Sequence, residues 1–294
     1  MKIKNLLTAT AVIFSINAIA ATAPTSATST TTPEAVGVPL SKKIAITYFG
    51  QVSSTSIGSP SRFIPDNFNA KGPDTINLYS SLAVGYKFQD DLALKLANRF
   101  EYRPIGTTAA TGMGRNPTNS NGMDLHLLNH RIFLEKANLI NNHGFNTKAT
   151  AGFELPTETK SREISGMIIS PRVTLSNNYT LPGSRWSFGL NLVLQEYFYT
   201  DNKSQPDWEP YMDPNVSYKI TEKLSATAEW EGYGQHTRNA ATTDWHQDGT
   251  DFHIGVAYDI TPDLSVNPYL QLLPGGRINM DTSSFGMYII GTLM

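Results

Sequence analysis

Leu92-Ala93-Leu94-Lys95-Leu96-Ala97-Asn98-Arg99-Phe100-Glu101-Tyr102-Arg103 decides the fold. Leu92, Leu94, Leu96, Phe100 and Tyr102 alternate with Ala93, Lys95, Ala97, Arg99, Glu101 and Arg103. Wound into a helix, this stretch would scatter its charges around the cylinder. As a strand it puts every charge on one face and every large apolar group on the other. The same period of two runs outward in both directions. Upstream, Ile76, Leu78, Leu82, Val84, Tyr86 and Phe88 alternate with polar or small residues, and downstream Trp186, Phe188, Leu190, Leu192 and Leu194 do the same. Twelve such segments span roughly 42–53, 76–88, 92–104, 124–139, 145–156, 165–180, 185–200, 208–220, 224–237, 251–260, 264–275 and 283–294. His130 interrupts the fourth, and Pro171, Pro214 and Pro268 fall inside others as local weak points in the ladder.

The connections alternate in length. Gln89-Asp90-Asp91, Asn141-Asn142-His143-Gly144, Leu181-Pro182-Gly183-Ser184, Thr221-Glu222-Lys223 and Thr261-Pro262-Asp263 are tight and rich in turn residues. Between them lie longer polar stretches, notably 54–75, 105–123 and 238–250. Membrane barrels show this short/long alternation, whereas a soluble sandwich has no reason to keep its long loops at one end. Aromatic residues flank the turns on the apolar face: Tyr86, Phe88, Phe145, Trp186, Tyr218 and Tyr258 at the tight end. Phe100, Tyr102, Phe198, Trp208, Trp230, Phe252 and Phe285 lie at the other. Two such belts are expected where amphipathic rings sit at two membrane interfaces.

The rest of the chain agrees. Of 294 residues 40% are hydrophobic and 16% charged, with no cysteine and a formal charge of −2. The charge balance gives no support for a nucleic-acid partner, which needs surplus Lys and Arg, and the missing cysteines exclude disulfides and thiolate chemistry. Past residue 20 no apolar run approaches the roughly 20 residues of a spanning helix. Lys2 and Lys4, the apolar run Leu6 to Ile19 and Ala18-Ile19-Ala20 form a cleavable export signal over 1–20. A Thr/Ser/Ala/Pro-rich leader over 21–41 is expected to be disordered.

On the signal, the even strand count, the alternation, the belts and a last strand that reaches the C-terminus, residues 42–294 resemble the Gram-negative outer-membrane β-barrel class. The resemblance implies an all-β, antiparallel up-and-down barrel in the outer membrane, in contact with its lipid and handled by the barrel-assembly machinery. The usual terminal aromatic residue is absent, since the chain ends Leu293-Met294.

In such a barrel the charged face must line the lumen, because charges facing lipid are costly. Segments two to seven contribute a basic wall of Lys87, Lys95, Arg99, Arg103, Arg131, Lys148, Arg172 and Arg185, against Glu101, Glu135 and Glu154. Segments eight and nine contribute an acidic wall of Glu209, Asp213, Glu229 and Glu231, against Lys219. Two opposed sectors would set up a transverse field that orients dipolar solutes. Tyr79, Tyr197, Tyr199, Tyr211, Tyr233, Tyr269 and Tyr288 share the inward face, where they can stack on solutes or simply fill a polar interior.

Asp244, His246, Asp248 and Asp251 are weak candidates for a divalent-cation loop. No bidentate Glu closes it: Gly255 occupies that position. Neither a Gly-x-Ser-x-Gly elbow, a phosphate-binding glycine loop nor a His-Glu-x-x-His pair occurs, so no enzyme and no cofactor is expected. The expected function is passive diffusion of small hydrophilic or charged solutes. A structural or surface-interaction barrel with a plugged lumen is the alternative, ahead of a hydrolase or a soluble secreted β-protein.

Overall fold

The computed structural model describes residues 43–56, 76–105, 124–200, 205–238, 246–272 and 283–292. The expected signal, leader and terminal Met294 lie outside them. Twelve strands form: β1 (Ile44–Ser56), β2 (Ile76–Gln89), β3 (Leu92–Ile105), β4 (Asp124–Leu127 and His130–Asn142), β5 (Phe145–Leu155) and β6 (Met167–Thr180). Then come β7 (Trp186–Glu196 and Phe198–Tyr199), β8 (Gln205–Lys219), β9 (Leu224–Arg238), β10 (His246–Thr261), β11 (Leu264–Leu272) and β12 (Ser283–Thr292). Each pairs antiparallel with its neighbours in sequence, and β12 pairs back onto β1 with Gln51 opposite Tyr288 and Phe49 opposite Ile290. The sheet is therefore closed, its first strand paired to its last, which lets it satisfy its backbone inside lipid.

The interior and exterior are inverted relative to a soluble protein. Leu94 is 43% exposed while its neighbour Lys95 is 5% exposed. Val84, Leu96, Ile132, Leu134, Phe153, Leu194 and Ile254 likewise face outward, while Glu101, Glu154, Gln195, Asp213 and His253 are buried within the barrel. A large exposed apolar surface of this extent marks contact with lipid. At the tight-turn end Trp186 packs on Tyr218 with ring centres 4.8 Å apart, and Tyr86 on Phe88 at 5.4 Å. Polar groups on the lipid side are paired: Thr147 donates to Asn177 at 2.8 Å, and the Tyr48 and Ser80 hydroxyls meet at 3.0 Å. The Tyr48 ring also lies over Gly50, where a Cβ would come within 2.7 Å of its hydroxyl.

Turns and bends fall where the sequence places them, with two refinements. His143 and Gly144 form a two-residue turn between β4 and β5, both at positive φ (47° and 83°), the twist that suits a hairpin. The strands run through Pro171, Pro214 and Pro268, because each proline removes one ladder donor while pairing with the neighbour on one side continues unbroken and lapses only on the other. The irregular fourth segment is a real break: β4 is interrupted at Leu128-Asn129. The strand at 208–220 begins earlier, at Gln205, and that at 251–260 begins at His246.

Candidate functional site

Inward parity on β3 to β6 gathers three arginines around one carboxylate. Glu154, on β5, stands opposite Arg131 in the ladder. Its Oε2 accepts from Arg131 Nε at 2.7 Å and Arg99 Nη1 at 2.9 Å, and its Oε1 from Asn129 Nδ2 at 3.2 Å. Arg99 also donates Nε to the Tyr79 hydroxyl at 2.6 Å and Nη1 to the Asn129 carbonyl at 3.1 Å. Arg172 instead donates to the neutral amide of Gln195, 2.7 Å away. Gln195 donates in turn to Ser170 Oγ at 2.8 Å. Two guanidinium groups thus share one carboxylate while the third is held by a neutral amide, and the cluster keeps a positive excess. Lys95, by contrast, is neutralised by Glu135 at 2.7 Å.

The break in β4 serves this cluster. It turns Asn129 inward, and the connection between β5 and β6 locks onto it: Ser161 Oγ accepts from Asn129 Nδ2 at 2.8 Å, and Glu158 N–H donates to Asn129 Oδ1 at 3.1 Å. Thr157 clamps both sides of the break, donating to the Leu128 carbonyl at 3.0 Å and accepting from the His130 N–H at 2.9 Å. The segment then makes one π-helical turn, Lys160–Ile164. Sequence reading flagged His130 as irregular but had no signal that the neighbouring Asn129 is the inward residue.

The acidic sector lies on β8, β9 and β10. Glu209 accepts hydrogen bonds from the Tyr197 and Tyr233 hydroxyls at 2.5 and 2.8 Å. Asp213 accepts from Asn191 Nδ2 at 2.7 Å. In the β9–β10 register Glu231 faces Asp251 and Glu229 faces His253. The Tyr288 hydroxyl lies 3.1 Å from both Glu231 Oε1 and His253 Nδ1, and Gln271 donates to Asp251.

A row of rings connects the two sectors along the inner wall. His253 stacks on Tyr269 at 4.3 Å, Tyr269 meets Tyr288 at 4.6 Å, Tyr288 meets Phe49 at 5.7 Å, and Phe49 meets Tyr79 at 6.1 Å. The Arg99 guanidinium lies 5.5 Å from the Tyr79 ring centre and ends the row at the basic cluster. Tyr197 and Tyr199 stack separately at 6.3 Å, and Tyr199 donates to the Pro206 carbonyl. Tyr211 and Tyr233 face each other across β8 and β9. On the tight-turn side a cavity of about 500 Å³ opens between Lys87, Lys148, Phe133, Thr47 and Thr292.

Some expected wall residues are placed elsewhere. Arg185 sits in the turn before β7, exposed, with Nη1 3.4 Å from the Ile220 carbonyl; the turn consumes one more residue than the alternation implied. Of the loop candidates for a cation, Asp251 is inward and buried on β10. Asp244 and the side chains of His246, Asp248 and Arg103 lie outside what the structure describes. Among the described residues the one grouping with metal-ligand spacing is Glu229, Glu231 and His253, whose donor atoms lie within 4.8 Å of one another. The sequence places the two glutamates on the acidic wall and offers His253 only alongside Asp244, His246 and Asp251; the strand register is what makes it the glutamates' neighbour.

The barrel is similar to solved outer-membrane proteins. An outer-membrane channel from Pseudomonas putida F1 matches with a TM-score of 0.56 at 12% identity, covering 90% of this chain and 100% of that one. The NanC porin matches with a TM-score of 0.45 at 12% identity, covering 85% of this chain and 100% of that one. No curated protein sequence matches. The likeness to the channel rests on shape, and it agrees with the inverted surface and closed ladder. The sequence itself carries a narrower signature: residues 104–273, from the end of β3 through β11, match the profile of the family described as "putative MetA-pathway of phenol degradation", and the chain belongs to that family.

Proposed function

We propose that the chain is an outer-membrane channel, not an enzyme, through which small hydrophilic or charged solutes diffuse passively. The observation that supports this most is the sorting of inward charge: an arginine cluster with positive excess on β3 to β6, and a carboxylate-rich sector on β8 to β10. A wall that needed only to be filled would pair these groups with each other, since an unpaired charge in a dry interior is costly. Water and a passing solute can supply the missing compensation. The family's description makes a phenolic solute the first to test, and the inner row of rings from Tyr79 to His253 offers aromatic faces for it.

A plugged barrel is the second reading, favoured by the lock between Asn129, Ser161 and Glu158 beside the arginine cluster. Conductance across a planar bilayer decides between them. A channel gives discrete, salt-dependent current steps from the purified protein. Protein that inserts and never conducts overturns the channel in favour of the plugged barrel.

A further inference from the structure

The acidic sector contains an arrangement that passive diffusion does not explain. Asp213, Glu231 and Asp251 fall in one cross-strand row of β8, β9 and β10, with Glu229 and His253 in the adjacent row. Like charges directly opposite one another destabilise a sheet. Here Glu231 stands directly opposite Asp251, and the His253 ring nitrogens lie 3.8 Å from each of the two carboxylates. Among the described residues no lysine or arginine pairs with Asp213, Glu229 or Glu231. Asp213 is 5% exposed, and while its Oδ2 is held by Asn191, its Oδ1 is buried with no hydrogen-bond partner. Asp213, Glu229 and Glu231 therefore present several oxygen donors, one of them an orphaned buried oxygen, and among the described residues no lysine or arginine forms an ion pair with them.

We infer that Glu229, Glu231 and His253 bind a divalent cation of the zinc type on the lumen wall, with Asp213 as a further oxygen donor. Two carboxylates and an imidazole are a common borderline donor set for such an ion. The donors already lie within 4.8 Å of one another. A tetrahedral ion with bonds of about 2.0–2.1 Å needs donors roughly 3.4 Å apart, which side-chain rotation can supply. Tyr288 completes the arrangement as an outer partner, its hydroxyl touching both Glu231 and His253 at 3.1 Å and fixing their orientation. Asp251, which the sequence offers as part of a loop site, stands opposite Glu231 in the next position of the row and accepts from Gln271. This inference is independent of conduction, because binding is read without current.

The test uses the full folded chain in detergent, stripped with a chelator and titrated with Zn²⁺ by calorimetry, with heat-modifiable gel mobility confirming that each variant is folded. The wild type is expected to bind one Zn²⁺ per chain and to gain thermal stability from it. Glu229→Gln and His253→Gln are expected to weaken binding at least 30-fold, and Tyr288→Phe roughly 10-fold. Glu229→Gln removes a repulsion, so without metal it should melt no lower than wild type while losing the Zn²⁺-dependent gain. A purely structural glutamate would lower the metal-free melting point instead, and that result overturns the inference. So does a folded wild type with no saturable binding, which would mean that protons neutralise the sector. Binding that survives both wall variants but is lost in Asp244→Asn/His246→Gln places the ion in the loop and also overturns it.

Discussion

Glu154 and Arg131 face each other directly across β4 and β5, with Nε 2.7 Å from Oε2, and the same oxygen is shared with Arg99 at 2.9 Å. One carboxylate, itself 8% exposed, therefore holds guanidinium groups from two strands. Glu154→Gln leaves both arginines without their anion. Breaking a buried pair by removing one partner costs about 3–5 kcal/mol. Urea unfolding of the refolded protein should show a loss of that order. The double variant Glu154→Gln/Arg131→Gln should recover part of it, because one orphaned charge is gone.

The lipid and lumen faces differ sharply in their tolerance of charge. Leu94 points outward and Thr47 lines the inner cavity. An arginine facing lipid near the midplane costs roughly 2–4 kcal/mol, whereas one in a wet cavity keeps its hydration. Leu94→Arg should reduce the folded, heat-modifiable fraction strongly and Thr47→Arg only slightly. Equal losses would show that the two positions do not face opposite media.

Lys87 and Lys148 border the cavity on the tight-turn side, whose lining also includes Arg131 of the arginine network. Exchanging both for glutamate moves the local charge by four units without touching Glu154. Over distances near the Debye length of about 8 Å this change is only partly screened. The zero-current potential in a salt gradient should shift toward cation selectivity, and the shift should shrink in molar salt. An unchanged potential in a conducting variant would remove this mouth from the ion path.

Arg162 is 56% exposed in the connection between β5 and β6, on the same side as the long loops, while Lys223 lies in a tight turn on the opposite side. An even-stranded barrel with its tight turns in the periplasm exposes the first to the medium and hides the second. Trypsin added to intact cells should cut after Lys160 or Arg162 before Lys223. Preferential cutting at Lys223 would reverse the orientation.

The strands were readable because their two faces meet two different solvents. Leu94 and Lys95 differ so strongly in polarity that one stretch fixes both the period and the side. Turn chemistry did the same for His143-Gly144. The site was less readable, for reasons of geometry rather than composition. That Glu229 sits beside His253, or Glu154 beside Arg131, depends on how far each strand slides along its neighbour, and nothing local in either segment encodes that offset. Asn129 was hidden for a related reason: a two-residue break resets the parity of a strand, so counting by twos from Arg131 does not identify what the break turns inward. Arg185 failed at the other extreme, one residue outside its strand, where alternation no longer applies.

The row of rings crosses the seam between the first strand and the last, where Phe49 of β1 lies against Tyr288 of β12, with Tyr79 on one side and Tyr269 on the other. A slip of one residue at this seam would send Phe49 out toward lipid and leave Tyr288 without its neighbour. The two strands that meet here are separated by every other strand of the barrel and share no turn to align them. The rings therefore act as a proofreading latch: they reward only the register in which four strands interlock. A barrel closed one residue out of register forfeits that contact.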